Sequence, residues 1–413
     1  MNVIFIHQNM PGQFRHLIRS VASDTANRIV CIGQRFDFTM PGVGRVTYEP
    51  PPSALPPDPN LFLAPLDTAV RNGLQVARAC EAVRKNGYRP DVIVAHPGWG
   101  ESLYVKEVFP DVPVLHYCEF FYRPHGADTN FAPNDQQDME ANCVTWTRNA
   151  PLLLALQSGD WGMSPTRWQK QLHPATLHDR ISVRFDGIDT DAACPDPAAA
   201  FTLPNGGVLR AGDDVVTYVA RSLEPYRGFP SFWRSLPEVL RRRPSAQIVI
   251  VGGEDVSYGK PPASGGNWLA TMQAEVPLDP RRVHVLGRVG YTDYLRILQV
   301  SAAHVYLTVP FVLSWSMLEA MSAGCVVIGS VTPPVQEVIQ DGHDGWLVDF
   351  FSPAAIADRI VEALARGPEL QPLRQAARWT ARSRYSLDRC LPRQIELLQA
   401  VAARRMSSID PNN

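Results

Sequence analysis

Short apolar runs alternate along the chain with longer stretches in which apolar residues recur at the spacing of one helix face. In the first half, the apolar runs predict strands at 2–6, 28–33, 91–95, 112–117 and 181–185. The helical spacing predicts helices between them, at 13–22, 66–86 and 140–156. Strands that are separated by helices predict a parallel sheet with helices on both faces.

The stretch 194–213 interrupts this alternation, because it holds several prolines and glycines and has no clear period. Such a composition predicts a linker. After it the alternation resumes, with predicted strands at 215–220, 246–251, 283–286, 303–308 and 325–329 and predicted helices at 229–242, 292–301, 316–322 and 387–403. The pattern therefore predicts an α/β fold with two doubly wound, Rossmann-like domains, 1–193 and 214–385, followed by a terminal helix and tail, 386–413. Ligands of such sheets bind beyond the carboxyl ends of the strands, so the predicted site is the cleft between the two domains.

The composition excludes several classes of protein. Of the 413 residues, 45% are hydrophobic and 19% are charged, which excludes a mainly disordered chain. The formal net charge is −2, without the basic excess of a nucleic-acid-binding protein. This balance gives no support for membrane association, although a small membrane-binding patch stays open. No stretch reaches the roughly 18 apolar residues of a membrane span, and the first residues lack the basic region of a signal peptide, so we expect a cytoplasmic protein.

Neither a metal nor a cofactor is expected. The seven cysteines are scattered and never spaced as CxxC, which argues against disulfides and structural zinc. A dinucleotide fingerprint, a Walker A sequence, HExxH and GxSxG do not occur, and the DxD sequence at 189–191 is interpreted as a turn. Arginine supplies nearly all of the 39 basic residues, so a cation that binds phosphate is expected to be an arginine.

Two regions of the second half could bind a nucleotide. Arg221 ends a predicted strand and Arg227 follows six residues later, a pair that suits a diphosphate, although two surface arginines are an equal alternative. Glu319 lies near the start of the helix that follows the loop 310–315. Backbone N–H groups at such a start bind anions, and the Glu319 carboxylate could accept hydrogen bonds from a ribose diol. The alternative is a glutamate that only complements the helix dipole.

Three polar residues of the first half follow strands of the predicted sheet. His96 comes after the strand 91–95, and His116 and Glu119 lie at the end of the next one. Reacting groups sit at such strand ends, but a structural role is the commoner one for a single histidine. Gly12, in the turn after the first strand, would let the backbone approach a ligand, although a simple tight turn is equally expected.

The second half resembles the family 4 glycosyltransferases, which have the GT-B fold. The resemblance is carried by RSLEPYRG, IVIVGG, LGRVGYTDYLRIL, SWSMLEAMSAG and PVQEVIQDGHDGWLV, in matching order across residues 215–350, with a looser match in the first half. It implies an N-terminal acceptor-side domain, a C-terminal domain that binds a nucleotide sugar, and a last helix that crosses back to the N-terminal domain. The implied reaction is retaining, metal-independent transfer of a sugar from a nucleotide-diphosphate sugar to an unknown acceptor: a glycan, a lipid-linked molecule or a small molecule.

The resemblance also implies roles for individual residues. Arg221 and Arg227 match the basic pair on the donor diphosphate, and Glu319 matches the glutamate that holds the ribose. The glutamate expected eight positions earlier is replaced by Phe311, which leaves the donor sugar open. The donor site is completed by residues that match the first loop, the base-reading loop and the helix start: Gly12, Gly287, Arg288, Val289, Ser314, Ser316, Met317 and Leu318. Glu119 falls near a position where the family often has a histidine close to the sugar.

The sequence leaves two other functions open. Phe311 favours a catalytically silent protein that binds a nucleotide or a sugar, whereas Arg221, Arg227 and Glu319 argue against it. A nucleotide-sugar epimerase would need an acid and a base, for which His96, His116 and Glu119 are the candidates.

Overall fold

The computed structural model describes residues 1–49, 62–133 and 136–410, so the end of the predicted tail, 411–413, lies outside the described residues. The chain divides into two compact units. The first comprises Met1–Gly187 and Leu387–Asn413, and the second comprises Ile188–Ser386. Each is built on a mainly parallel sheet with helices, which confirms the predicted α/β class.

In the first unit, seven strands form one sheet. The strands of this unit are β1 (Asn2–Ile6), β2 (Asn9–Met10), β3 (Arg28–Gly33), β4 (Arg35–Phe36), β5 (Val43–Thr47), β6 (Val92–Ala95), β7 (Val114–Tyr117), β8 (Trp161–Ser164) and β9 (Ile181–Val183), of which β2 and β4 form a separate two-stranded sheet. The helices are α1 (Arg15–Ala22), α2 (Ala64–Lys85), α3 (Val105–Val108), α4 (Met139–Thr147), α5 (Ala150–Ser158) and α6 (Arg167–Leu172). The sheet order is β5-β3-β1-β6-β7-β8-β9, with every neighbouring pair parallel. The ends of β1, β6 and β7 therefore lie side by side.

The second unit has a six-stranded parallel sheet. The strands of this unit are β10 (Ala200–Thr202), β11 (Val208–Arg210), β12 (Val215–Ser222), β13 (Gln247–Gly253), β14 (Val283–Val285), β15 (Ala303–Tyr306), β16 (Val326–Ser330) and β17 (Trp346–Val348), of which β10 and β11 form a separate two-stranded sheet. Its helices are α7 (Phe229–Arg242), α8 (Trp268–Glu275), α9 (Tyr291–Gln299), α10 (Trp315–Ser322), α11 (Pro333–Gln336), α12 (Pro353–Arg366) and α13 (Gln371–Tyr385), and the last helix of the chain, α14 (Leu387–Ala402), returns to the first unit. The order β14-β13-β12-β15-β16-β17 places β12 and β15 next to each other.

Burial on both faces explains the continuous apolar runs of the strands. In β1, Val3 and Phe5 lie in a buried cluster that includes residues of α1 and α14, whereas Ile4 and Ile6 lie in a second cluster that includes residues of α2. Because α14 contributes to the first of these cores, the terminal helix packs on the N-terminal unit, as the resemblance implies.

The predicted linker 194–213 differs from the structure. The division between the units falls after Gly187, and β10 and β11 form an antiparallel hairpin inside the predicted linker. Leu203 and Leu209 are buried with Val249 and Val251 of β13, so the hairpin is part of the second unit. The strands have only three residues each, too few for a period to appear among the surrounding prolines and glycines.

The predicted helix 140–156 is two helices, α4 and α5, which meet at Arg148 and Asn149. The Asn149 side chain accepts a hydrogen bond from the backbone N–H of Tyr122 and donates one to its carbonyl. This tie to a neighbouring segment fixes the break, and Pro151 is tolerated because it lies in the first turn of α5. Within the described ranges, no helix is both long and apolar enough to cross a membrane.

Candidate active site

Arg221 lies on a β-bulge at the end of β12. The register between β12 and β13 shifts from Val219 opposite Val251 to Ser222 opposite Gly253, so β12 contains one extra residue at this point. A bulge of this kind turns a side chain away from the regular alternation of a strand. Arg221 is exposed, and it is therefore available to a ligand at the carboxyl edge of the sheet.

Arg227, by contrast, is buried. It ends the short helical turn Pro225–Arg227, and its Nη1 donates hydrogen bonds to Tyr306 Oη at 3.2 Å, Thr308 Oγ1 at 2.9 Å and the Val312 carbonyl at 3.1 Å. These bonds tie the turn after β12 to the loop after β15. The two predicted diphosphate-binding arginines thus have different environments: one is exposed, and the other is held in the protein by three acceptors.

The start of α10 is connected to Arg227 through one hydroxyl group. The backbone N–H of Ser314 donates to Tyr306 Oη at 2.8 Å, the same oxygen that Arg227 contacts. Ser314 is the N-cap of α10, and its Oγ accepts the backbone N–H of Ser316 at 3.3 Å and lies 2.9 Å from Ser316 Oγ. The structure therefore brings together Arg227, Ser314 and Ser316 of the predicted donor site.

Met317 and Leu318 are fully buried, so only their backbone groups could serve a ligand. Leu318 lies four residues after the N-cap, where an α-helix uses the N–H group internally. Met317 lies within the first turn, where the N–H group has no partner inside the helix. Helix geometry thus favours Met317 over Leu318 as a backbone donor.

Glu319 is held by two tyrosines of α9. Tyr291 Oη donates to Oε1 of the carboxylate at 2.8 Å, and Tyr294 Oη donates to Oε2 at 2.7 Å. Glu319 is 7% exposed, and burial raises its pKa, an effect that the two tyrosine hydrogen bonds oppose. The carboxylate is thus oriented by its own unit before any ligand binds.

The predicted base-reading loop precedes α9. Gly287 has a φ of 66°, which favours glycine, and its carbonyl accepts the backbone N–H of Gly252 at 2.9 Å. Arg288 is exposed and pairs with Asp255, while Val289 is half-buried against the core that contains β13. The loop therefore joins the ends of β13 and β14 directly to the helix that orients Glu319.

Phe311 lies in an aromatic cluster, which consists of Tyr226, Tyr258 and Phe311. The Phe311 ring centroid is 5.5 Å from that of Tyr226 and 5.0 Å from that of Tyr258, and Phe311 is 6% exposed. The guanidinium carbon of Arg227 lies 5.8 Å from the Tyr258 ring, a cation–π contact. An apolar cluster thus occupies the position at which the resemblance predicts a carboxylate.

The glycine-rich loop that carries Tyr258 is anchored by a carboxylate. Glu224, 1% exposed, accepts backbone hydrogen bonds from Ser257, Tyr258 and Gly259, the shortest at 2.9 Å. Ser222 Oγ at the end of β12 also lies 2.7 Å from Ser257 Oγ. The loop is therefore fastened to the same strand end as Arg221.

In the first unit, the turn after β1 is built around a histidine. Gly12 has a φ of 50°, and a Cβ there would lie 2.5 Å from the ring of His7. His7 Nδ1 accepts the backbone N–H of Asn9 at 2.9 Å, which leaves Nε2 to donate to Gln13 Oε1 at 2.9 Å. Burial lowers the pKa of His7 to about 3, so the ring is neutral near pH 7. The glycine is required here by the packing of His7.

His96 and Glu119 meet at the same edge. Gln13 Nε2 donates to Glu119 Oε1 at 2.6 Å, and His96 Nε2 lies 3.1 Å from Glu119 Oε2. Because His96 Nδ1 accepts the backbone N–H of Gly98 at 3.0 Å, the hydrogen-bond pattern assigns the ring proton to Nε2. Burial would raise the pKa of Glu119, but the hydrogen bonds from His96 and Gln13 help to lower it, so the carboxylate is ionised.

His116 is not part of this network. It is 1% exposed, its Nε2 lies 3.0 Å from Ser102 Oγ, and burial lowers its pKa to about 3. Its position on β7 places it inside the first unit, where the geometry supports a packing role.

The described residues also contain no group of three His, Cys, Asp or Glu side chains that could hold a metal ion.

Two family models match this chain in succession. The model described as "Glycosyl transferase family 4 group" matches residues 25–193, and the one described as "Glycosyl transferases group 1" matches residues 213–366. The chain belongs to the family 4 glycosyltransferases.

Curated relatives of this family 4 glycosyltransferase include mycobacterial mannosyltransferases. A GDP-mannose-dependent alpha-(1-6)-phosphatidylinositol monomannoside mannosyltransferase of Mycolicibacterium smegmatis is 27% identical over 215 residues, 49% of this chain and 50% of that protein. A phosphatidyl-myo-inositol mannosyltransferase of Mycobacterium tuberculosis is 29% identical over 205 residues, 48% of this chain and 47% of that protein. The chain thus spans about half the length of the curated relatives it matches.

Solved structures show the fold over nearly the full chain. HepE of Anabaena, in complex with UDP-glucose, aligns with a TM-score of 0.67 and 14% identity over 97% of this chain and 100% of that one. A sucrose-phosphate synthase of Thermosynechococcus elongatus aligns with a TM-score of 0.71 and 16% identity over 98% of this chain and 100% of that one. The two-unit α/β architecture of this glycosyltransferase is therefore the GT-B fold.

Sequence reasoning missed several side chains that organise the site of this glycosyltransferase. His7 directly follows β1 as His96 directly follows β6, and this parallel was a usable signal. Tyr291 and Tyr294 lie one helical turn apart, but nothing in the sequence pairs them with a glutamate 25 or more residues away. The anchoring role of Glu224 depends on backbone N–H groups, which leave no trace in the sequence.

Proposed function

We propose that the chain is a retaining glycosyltransferase that moves a sugar from a nucleotide-diphosphate sugar to an acceptor hydroxyl. The observation that carries the proposal is the pair of arginines at the end of β12: Arg221 is exposed on a bulge, and Arg227 is fixed to the loop that leads into α10. Two cations and a capped helix start at the ends of two neighbouring strands, β12 and β15, suit a diphosphate. Family membership and a structural neighbour that is bound to UDP-glucose support the same ligand class.

The proposed reaction depends on the negative charge that develops on the leaving diphosphate. Breaking the bond between the anomeric carbon and the phosphate oxygen places negative charge on the departing diphosphate. Arg221, Arg227 and the N–H groups at the start of α10 would stabilise that charge in the transition state. Because these groups supply the positive charge, we propose that no metal ion takes part.

Retention of the anomeric configuration requires the acceptor oxygen to attack the anomeric carbon from the same face from which the leaving group departs. A phosphate oxygen of the leaving diphosphate can then take the acceptor proton, so the step needs no protein nucleophile. The remaining donor contacts would come from Glu319 with the ribose and from the loop Gly287–Val289 with the base, and the aromatic cluster around Phe311 would lie near the sugar.

For the acceptor, we propose a hydroxyl group bound at the carboxyl edge of the first unit. Glu119 is ionised, 28% exposed and held by two donors, so it has the capacity to accept a further hydrogen bond from a sugar or polyol hydroxyl. The relatives' names specify phosphatidylinositol-based lipids, which makes inositol-containing lipids and their headgroups the first acceptors to test. A cytoplasmic location stays a prediction.

A catalytically silent binding protein is the second candidate, and Phe311 is the observation that favours it. An epimerase receives less support, because His96 and His7 donate their ring protons within the hydrogen-bond network and His116 is buried.

Incubation with UDP-glucose, GDP-mannose and related donors, with release of free nucleotide as the readout, separates these functions. Release that depends on Arg221, with an anomeric configuration retained in the product by NMR, is the expected result. Tight nucleotide binding without release would favour the silent protein, and interconversion of the donor sugar would favour the epimerase.

A further inference from the structure

We propose that Tyr291 is a displaceable partner of Glu319: its hydroxyl occupies the ligand-facing side of the carboxylate until a ribose hydroxyl replaces it, while Tyr294 remains as a fixed positioning residue. The inference rests on the proposed function, because it takes Glu319 as the ribose-binding carboxylate. It concerns a step that the proposed function does not contain, namely the exchange of a hydrogen-bond partner at Glu319 when the nucleotide binds.

The two tyrosines make similar hydrogen bonds from different environments. Tyr291 is the first residue of α9 and is 53% exposed, whereas Tyr294, one turn later, is 9% exposed. Their hydroxyls bind different oxygens of Glu319, at 2.8 Å to Oε1 and 2.7 Å to Oε2. One oxygen of the Glu319 carboxylate therefore has the exposed tyrosine as its partner, and the other oxygen has the buried tyrosine.

Solvent exposure decides which tyrosine can give up its hydrogen bond to Glu319. The hydrogen bond of Tyr291 to Glu319 is only partly buried, so a Tyr291 hydroxyl that gives it up can gain one with water, and the net loss is small. A buried hydroxyl that gives up its bond would leave a donor without a partner, which is far costlier. A ligand that approaches Glu319 from solvent thus meets Tyr291 first and can replace it, whereas Tyr294 keeps the carboxylate oriented.

The position of Tyr291 also fits a nucleotide. It follows Gly290, the N-cap of α9, which comes directly after the loop Gly287–Val289 that we propose contacts the base. Its ring centroid lies 5.7 Å from that of Tyr294, at an interplanar angle of 33°. A hydroxyl exchange at Glu319 would therefore take place next to the base and ribose of the same ligand. Until that exchange, Tyr291 keeps the buried carboxylate hydrogen-bonded.

The test compares Tyr291→Phe with Tyr294→Phe, two variants that each lose one oxygen from the same helix. Binding of UDP, GDP, ADP and CDP to the wild type is measured by calorimetry, and the tightest of them is then compared with its 2′,3′-dideoxy form. We expect Tyr291→Phe to bind the ribonucleotide about 2- to 10-fold more tightly, with unchanged affinity for the dideoxy form. We expect Tyr294→Phe to bind the ribonucleotide more weakly and to lose much of the preference for ribose.

The outcomes separate this inference from the proposed function. If the wild type binds none of the diphosphates, or binds the ribose and dideoxy forms equally, the assignment of Glu319 to the ribose fails, and the inference fails with it. If the wild type prefers ribose but Tyr291→Phe has equal or weaker affinity, Tyr291 is not displaced, and the inference alone is overturned. An unchanged ribose preference in Tyr294→Phe would remove the positioning role of Tyr294. Because Tyr291 is exposed, its variant keeps the test valid even where Tyr294→Phe folds poorly.

Discussion

The carboxyl edges of the two sheets are built on the same topology but carry different chemistry. In the first unit, a carboxylate and neutral imidazoles meet at the ends of β1, β6 and β7, and they are bonded to one another. In the second unit, one guanidinium group lies at the end of β12 and another in the turn after it, and the one acidic side chain among the predicted donor residues is bound by tyrosines. The first edge therefore suits hydroxyl groups and the second suits phosphates, which is the division that transfer of a sugar from a diphosphate to a hydroxyl requires.

The largest expected effect concerns Phe311, where the second edge departs from the family pattern. Phe311→Glu restores the expected carboxylate, but it places a charge between two aromatic rings at a position that is 6% exposed. We expect a loss of about 3–5 kcal/mol in the free energy of unfolding, because the charge is buried without a partner and the ring packing is lost. Chemical denaturation measures it, with Phe351→Glu at a 40% exposed phenylalanine as the control. A stable Phe311→Glu variant with tighter donor binding would mean that the aromatic cluster opens readily.

The next effect separates the exposed cation from the buried one. Arg221→Ala should lower turnover about 100-fold or more, because the charge on the leaving diphosphate loses a donor. The melting temperature should stay within about 1–2 °C of the wild type, since surface substitutions of this kind change stability little. Arg281→Ala, at another exposed arginine of the same unit, is the control and should change neither quantity. Turnover within a few-fold of the wild type would remove Arg221 from the diphosphate site.

A third prediction concerns two carboxylates of the first unit with opposite pKa shifts. Glu119 is ionised by its hydrogen bonds, whereas burial raises the pKa of Glu101 to about 7. Glu101 Oε1 accepts the Tyr48 hydroxyl at 2.9 Å, and within the described part of the chain Oε2 has no hydrogen-bond partner. Between pH 4.5 and 7, Glu101 therefore holds a proton in the folded protein but not in the unfolded chain. The protonated Glu101 contributes fully to the stability of the folded protein at low pH, and this contribution is lost as the pH rises through 7.

Glu101→Gln stays neutral at every pH and should remove this dependence. We expect the variant to gain about 3 kcal/mol in the free energy of unfolding over the wild type at pH 8.5 and to gain almost nothing at pH 4.5. Urea denaturation at the two pH values measures the difference, with Glu107→Gln at an exposed glutamate as the control. A gain that is equal at both pH values would mean that Glu101 is not protonated in the folded protein.

Features of these sheet edges that depend on neighbouring residues could be predicted from the sequence, whereas contacts between distant segments could not. The predicted strands and the strand-end positions of Arg221, His96 and Glu119 follow from local periodicity, and the structure agrees with them. The prediction lacked β5, β8 and β17 of the two sheets and the helices α12 and α13, which the structure adds. What local patterns cannot show is which side chain binds which, because that depends on distant segments. Glu119 is held by Gln13, which is 106 residues away in the chain, and this distance carries no periodic signal.

The same limit explains why candidate residues that look alike in the sequence have different environments in the structure. The sequence treats Arg221 and Arg227 alike, yet a one-residue bulge leaves one exposed while a turn buries the other. His116 looks as available as His96 in the sequence, but it lies within β7, whereas His96 lies just past the end of β6. A difference of one or two positions relative to a strand end decides whether a histidine joins the hydrogen-bond network at the strand ends or lies within the sheet.

The smallest expected effect tests whether the first edge acts as one hydrogen-bond network. Glu119→Gln keeps the shape of the side chain but replaces one acceptor oxygen with an N–H₂ group, which must then face Gln13 Nε2 or His96 Nε2, both donors. Because the side chain is partly exposed, we expect a modest loss of about 1 kcal/mol in the free energy of unfolding. The NMR signals of the His96 and His7 rings should shift together, since one donates directly to Glu119 and the other reaches it through Gln13. His116, whose contact is with Ser102, provides the internal control and should keep its signals. A shift confined to His96 would mean that Gln13 does not couple His7 to the carboxylate, and the first edge would then be two separate pairs of residues.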